Sequence, residues 1–349
     1  MFKRIPDHPP LIKPYSGDYN PLWSVMIPVY NCMDYLKETM ESVLQQDAGQ
    51  ELMQIEVVDD CSSDGDVEEL VKKIGKGRIG YYRQKENLGS LRNFETCINR
   101  SKGKYIHLLH GDDRIEVGFY DEIAALFRDY PKAGAAYTNF NFIDNASRLV
   151  AKKKDSILEQ PGIIPDFFDK IAVKNLLQPP AIVIKRTTFE ALGSFFAVHF
   201  GEDWEMYARI GSKFPVAYSP KHLASYRLDP RSGITQKSFL SGQNFLDMGK
   251  VIDIIQQYLP EHKRSKIKKA ALADTAQYTV KCANSLLLNH RKAALRQVKG
   301  AWGMSKDLTT LYWIIRFYAM YILRYKQIES ILRKGKKIES IKNSRSKIL

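Results

Sequence analysis

At 349 residues, with 44% apolar and 11% aromatic side chains, the chain has length for roughly two domains and ample material for a packed core, which excludes a disordered protein. Its formal charge of +14 suggests an anionic partner: nucleic acid, an acidic membrane surface or a phosphorylated ligand. Nine Lys or Arg against two Glu fall between Arg324 and Leu349, so half of the excess belongs to the tail and says little about the rest.

The N-terminal 22 residues are Pro-rich, lack the apolar centre of a signal peptide, and read as an extended arm laid on the first domain. "WSVMIPVYN" (23–31) reads as a short buried strand. Apolar residues Tyr35, Leu36, Met40, Val43 and Leu44 then recur near helical spacing. "MQIEVVDD" (53–60) is a second strand, and "SSDGDVEELVKKI" opens a helix with Ser and Asp as N-cap candidates. "IGYYRQ" predicts a third strand, "SLRNFETCINRSKG" a helix, and "KYIHLLHGDD" (104–113) a fourth strand. Another helix and strand are expected between Phe119 and Tyr137, and residues 139–180 look loop-rich, with a basic run at Lys152–Lys154. "AIVIKRTTFEALGSF", "FGEDWEMYARIG" and "VAYSPKHLASYRLDP" complete that domain. Beyond about Gln236 helical patterns dominate, including Phe245, Met248, Ile252, Ile255 and Leu259.

Strands alternating with helices imply a mostly parallel α/β sheet with helices on both faces, whose ligands bind outside the carboxyl ends of the strands. Three of these ends carry polar residues: Tyr30-Asn31, Asp59-Asp60 and Asp112-Asp113. Adjacent carboxylates repel each other unless a cation or several donors sit between them. A hard divalent ion relieves that repulsion and can hold a diphosphate; a turn with a helix N-cap is the blander account of the same residues. The four cysteines, Cys32, Cys61, Cys97 and Cys282, show neither metal nor disulfide spacing and fit a reducing cytosol.

"SVMIPVYN", "EVVDDCSSDGD", "ENLGSLRNFETCINRSKGKYIHLLHGDD", "FGEDWEMYARIG" and "HLASYRLDPRSG" resemble, in order and spacing, the family 2 glycosyltransferases of the GT-A (Rossmann-like) fold. The resemblance covers roughly residues 23–235, with the helical stretch 236–349 outside it. It implies that Pro28, Tyr30 and Asp59 line a nucleotide pocket, that Asp60, Arg92 and Asp112 hold ribose and phosphates, and that Asp113 binds a divalent cation, Mn or Mg. It further implies that Asp203 is the base of an inverting transfer and that Glu202 helps to position the acceptor or the sugar. A charged helix start is the plainer account of that second pair. The usual metal motif has an acidic residue two positions before Asp112. Here His110 stands there, and a phosphate donor or plain strand-end residue is favoured over a direct ligand. His107 reads as a core histidine, and core packing is the safer account of His222.

The expected activity is transfer from a nucleotide-diphosphate-sugar, a UDP-sugar in first place, to a glycan or lipid-linked saccharide in surface-polysaccharide assembly. A non-catalytic sugar-nucleotide-binding module on the same fold is the alternative. Nucleic-acid binding ranks low because the basic residues gather in the tail rather than among strand aromatics. "LYWIIRFYAMYIL" (311–323) is too short for a membrane span and contains Arg316, but with the basic tail it suits an anionic membrane interface. The expected location is cytoplasmic, with a peripheral place on the inner face of the cytoplasmic membrane open to it.

Overall fold

The computed structural model describes residues 3–154, 156–228 and 233–323; the basic tail after Leu323, and Asp229 to Ser232 around Arg231, lie outside the described residues. Strand β1 (Trp23–Val29) is buried at every position, as is β2 (Met53–Asp59). Continuous apolar runs of this kind are what a parallel sheet covered on both faces requires. Helix α1 (Met33–Leu44) connects them and buries Tyr35, Leu36, Met40 and Val43 along one stripe. In α2 (Val67–Gly75) the N-cap is Asp66, whose side chain accepts from the Glu69 N–H at 2.9 Å. Strand β3 (Gly80–Arg83), helix α3 (Ser90–Arg100) and strand β4 (Tyr105–Leu108) complete the first half. These four strands run parallel in the order β3-β2-β1-β4, with Trp23 opposite both Met53 and Tyr105. The register sets the carboxyl ends of β2, β1 and β4 side by side.

Beyond β4 the sheet becomes mixed. Strand β5 (Arg114–Ile115), helix α4 (Phe119–Asp129) and strand β6 (Ala135–Ile143) come first. The stretch expected to be loop-rich holds the end of β6, then β7 (Leu149–Lys152), β8 (Gly162–Ile163) and helix α5 (Phe167–Ile171). Strand β7 is exposed throughout, and two- or four-residue strands leave no apolar run to read in a sequence. A 3-10 turn at Pro179–Ala181 leads into β9 (Ile182–Lys185), α6 (Arg186–Leu192), α7 (Glu202–Gly211) and β10 (Val216–Arg227). Strand β9 enters antiparallel between β4 and β6, β10 lies parallel to β6, and β5 closes the edge antiparallel to β10. The β10–β6 register shifts between Ser219 and His222 and again before Ala224, where Pro220 interrupts the ladder.

Helices α8 (Gly233–Ser241), α9 (Gln243–Tyr258), α10 (Glu261–Leu286), α11 (Arg291–Met304) and α12 (Leu308–Leu323) follow. Val251, Ile252 and Ile255 of α9 and Leu259 just after it join the core of the sheet, while Ala276, Val280, Ala294, Ala301, Ile314 and Phe317 form a second apolar cluster. The helical part is thus seated on the sheet through α9 and the start of α10. The N-terminal arm binds both halves of the sheet: Arg92 donates to the Lys3 carbonyl, and the Ala197 and Ser194 N–H groups donate to the Pro6 and Pro10 carbonyls.

Candidate active site

The turns after β1 and β2 are knitted together. Asn31 and Cys61 take left-handed backbone angles of 51° and 62°, the Asn31 N–H donates to Ser62 Oγ at 3.0 Å, and Asn31 Oδ1 accepts from the Ser63 N–H at 2.8 Å. Tyr30 is left half exposed at the end of β1, and the Pro28 carbonyl accepts from the Gly111 N–H at 3.2 Å. Asp59 is fully buried. Its Oδ1 accepts from the Ser62 N–H at 2.9 Å, and its Oδ2 from the Tyr81 hydroxyl at 2.9 Å and from Arg83. Burial, together with that contact, pushes the Tyr81 hydroxyl up to about 12. Asp60 accepts from the Leu88 N–H (2.7 Å), the Gly89 N–H (2.8 Å) and the Asn87 amide (2.8 Å), so its carboxylate holds the loop that starts α3. Arg92 lies on α3 with Glu95 at 2.6 Å and lines a surface groove with Tyr82, Leu88 and Arg100.

The loop after β4 is anchored from below. Thr39 of α1 donates to the carbonyls of Gly111 (3.0 Å) and Asp113 (2.6 Å). Gly111 is required by close approach: a Cβ there would stand 2.8 Å from Cys32 Sγ and 3.0 Å from Val29 Cγ2. Arg227, at the end of β10, is 5% exposed and gives its N–H to Asp113 Oδ1 (2.8 Å) and its Nε–H to the Asp112 carbonyl (2.7 Å). Its remaining N–H groups reach Glu38 Oε2, the Asp144 carbonyl (both 2.7 Å) and Ser147 Oγ (3.0 Å), and its guanidinium lies 4.4 Å over the Tyr35 ring.

That scaffold leaves one group unsatisfied. Asp113 Oδ2 is buried without a hydrogen-bond partner, and burial pushes the carboxyl well up from its ordinary range, with Asp112 adding to the shift. Ligand atoms of His110, Asp112 and Asp113 all lie within 4.8 Å of one another. An orphaned carboxylate oxygen beside a second carboxylate and an imidazole fits a divalent cation. His110 is therefore closer to the pair than the sequence suggested. Its ring stacks on Phe94 at 5.1 Å, and burial holds its pKa below the usual histidine value against the pull of Asp112.

Glu202 and Asp203 open α7, after Gly201 in a left-handed conformation. Asp203 Oδ1 accepts from the Trp204 N–H (2.7 Å) and Oδ2 from the Asn175 amide (3.0 Å). Burial raises both carboxyls. Glu202 is raised further because Asp203 stands beside it, whereas those two donors restrain Asp203. His110, Phe94, Phe195, Glu202, Asp203 and Tyr207 line one cavity, which brings the second carboxylate pair beside His110. Tyr226 feels the charge of all four, Asp113, Asp112, Asp203 and Glu202, and with its burial this raises its hydroxyl pKa.

His107 is a core residue as expected, bonded to the Tyr120 hydroxyl and the Pro180 carbonyl at 3.1 Å, with burial lowering it to about 3. His222 contacts the Lys153 carbonyl at 3.0 Å. Glu38, Thr39, Asn175 and Tyr207 were not legible as site residues. They sit mid-helix or in a loop, and only the tertiary contacts reveal them.

Residues 24–186 match Glycosyl transferase family 2. TuaG of Bacillus subtilis (strain 168), a putative teichuronic acid biosynthesis glycosyltransferase, is 35% identical over 99 residues, 28% of this chain and 38% of that protein. The S. aureus TarS structure in complex with UDP-GlcNAc superposes with a TM-score of 0.62 at 16% identity, covering 90% of this chain and 92% of that one. The mannosyltransferase PcManGT from Pyrobaculum calidifontis, in complex with GDP-Man and Mn2+, gives 0.54 at 16% identity over 90% and 83%. At such identities the structural likeness establishes the fold, which is GT-A. Residues 24–186 thus match a family 2 glycosyltransferase domain, and the protein is a glycosyltransferase.

Proposed function

We propose that the protein is an inverting, cation-dependent transferase that moves a sugar from a nucleotide-diphosphate donor, a UDP-sugar in first place, to a glycan or lipid-linked saccharide hydroxyl in surface-polysaccharide assembly. The observation that carries this is the shared cavity, which sets Glu202 and Asp203 beside His110 of the Asp113 cluster. Asp113, Asp112 and His110 would hold a Mn or Mg ion, which when bound supplies positive charge to the departing diphosphate. Asp203, restrained in its pKa by the Trp204 N–H and Asn175, takes the acceptor hydroxyl proton while the acceptor oxygen bonds to the anomeric carbon. The bond to the diphosphate breaks as this one forms, and the diphosphate leaves with the electron pair. Glu202, whose carboxyl is raised by burial and by Asp203 beside it, helps to position the acceptor or the sugar. On the nucleotide side Pro28, Tyr30 and Asp59 border the base, with Tyr30 exposed for stacking; Asp60 acts through the 87–89 loop, and Arg92 is assigned to the phosphate side.

PcManGT is described with GDP-Man and Mn2+ and TarS with UDP-GlcNAc, which supports a nucleotide-sugar donor, while TuaG is described by teichuronic acid biosynthesis, which supports a polysaccharide setting. The test is a thermal-shift screen of UDP- and GDP-sugars with Mn2+, followed by transfer assays on the best binder. A stabilising donor whose effect requires the ion and is lost in Asp113→Asn is the expected result. Donor binding equal with and without the ion would overturn the cation assignment.

A further inference from the structure

Helix α12 presents two unlike faces. Thr310, Ile314 and Phe317 are buried, the last two within the second apolar cluster, where α12 packs against α10 and α11. On the opposite face Leu308, Tyr312, Ile315, Tyr318 and Ile322 are 84%, 59%, 60%, 42% and 74% exposed. Their spacing of four, three, three and four residues places them on one side of a helix. An exposed apolar stripe of this extent marks an interaction surface.

Its charge setting selects the partner. No acidic residue occurs between Leu308 and Leu323, Arg316 is exposed beside the stripe with its guanidinium 5.0 Å from the Trp313 ring, and Lys281 of α10 lies 5.2 Å from the same ring. Lys306 just before the helix lies 5.8 Å from the ring of Trp302, itself 41% exposed. The sequence then continues into the tail with its surplus of seven positive charges. Aromatic and aliphatic side chains on one face, cations around them and a basic flank are the composition of a helix that lies in the headgroup region of an anionic bilayer. Antiparallel pairing of two copies through this stripe would bring Arg316, near the middle of α12, close to its own copy, and the like charges oppose it. Among the described residues no helix is long and apolar enough to cross a membrane, so the helix would lie on the surface.

We propose that the outward face of α12, with the basic tail, docks the enzyme on an anionic lipid surface. The docking deepens one part of the proposed function, the lipid-linked acceptor, and rests on it only there.

The test is co-sedimentation of the full chain with phosphatidylcholine vesicles, with and without phosphatidylglycerol. Alongside it runs Tyr312→Ser combined with Ile315→Ser, two exposed positions whose change leaves the folded core and donor hydrolysis intact. The expected result is binding to the anionic vesicles at low salt, weaker at high salt, and reduced about tenfold or more in the double variant. No binding to anionic vesicles overturns the proposal. Equal binding by the double variant does so too, since the tail alone would then suffice, as does a halved particle mass in that variant with vesicle binding unchanged. Vesicle binding together with no transfer to any lipid-linked saccharide leaves the docking in place and removes the acceptor assignment instead.

Discussion

The carboxylate pairs after β2 and β4 look alike in sequence and differ in what surrounds them. Both oxygens of Asp59 and both of Asp60 accept hydrogen bonds from the protein, from Tyr81, Arg83, Ser62 and the 87–89 loop. After β4 only one Asp113 oxygen is answered, by the Arg227 N–H, and the other is buried with no partner. A satisfied carboxylate stabilises the fold that encloses it. An unsatisfied one costs stability and is kept where something from outside completes it. The first pair therefore fixes the turn after β2 and the 87–89 loop, and the second is the better place for an ion.

Substitutions test that division. Asp203→Asn should retain donor and cation binding while transfer falls by about 10²–10⁴-fold, the usual worth of general base catalysis; near-normal transfer would remove the assignment. Asp113→Asn should abolish the cation-dependent rise in thermal stability without lowering the stability of the ion-free protein, because it replaces an unanswered buried charge. Arg227→Met should be the most destabilising of the set, by about 3 kcal/mol, as it strips the guanidinium from the Asp112 and Asp144 carbonyls, Ser147 and Glu38 while leaving the backbone bond to Asp113; urea denaturation measures it. Asp60→Ala should cost about 1–3 kcal/mol, the penalty of unpairing the Leu88 and Gly89 N–H groups, in contrast to Asp113→Asn. If both variants cost the same, the distinction between the two pairs is lost.

The smallest effect is a pH dependence. Burial lifts the Glu202 carboxyl above its ordinary value, so the folded state binds that proton more tightly than the unfolded one. Its contribution to stability is therefore full at low pH and fades as pH rises above the ordinary carboxylate range. Glu202→Gln should raise the melting temperature at pH 8 by about 2 °C, and the gain should shrink toward pH 4.

Much of the first half was readable because β1, β2 and β4 are buried runs whose ends carry the polar residues. The resemblance to family 2 glycosyltransferases rested on the same segments and is borne out by the match over residues 24–186. The antiparallel entry of β9 was not readable, because strand direction depends on which neighbour a four-residue segment pairs with. The place of His110 was hidden for a similar reason: its closeness to Asp112 and Asp113 comes from the turn at Gly111 and the stack on Phe94, neither of which spacing encodes. Glu38 is a charged residue on a helix until Arg227 arrives from the far end of the domain.

That last contact also sets an order of assembly. Arg227 and Glu38 lie 189 positions apart, and Arg227 reaches Asp112 across 115. Contacts that distant form late in folding, after the closure of long loops. During synthesis the chain can complete its first four strands while the Asp112-Asp113 loop still lacks its clamp. The loop acquires its final form only when the end of β10 has left the ribosome and docked. A nascent or truncated chain ending before residue 227 would thus hold the first four strands with the Asp112-Asp113 loop unclamped, and if that loop takes an ion as proposed, the binding should appear only once β10 is in place.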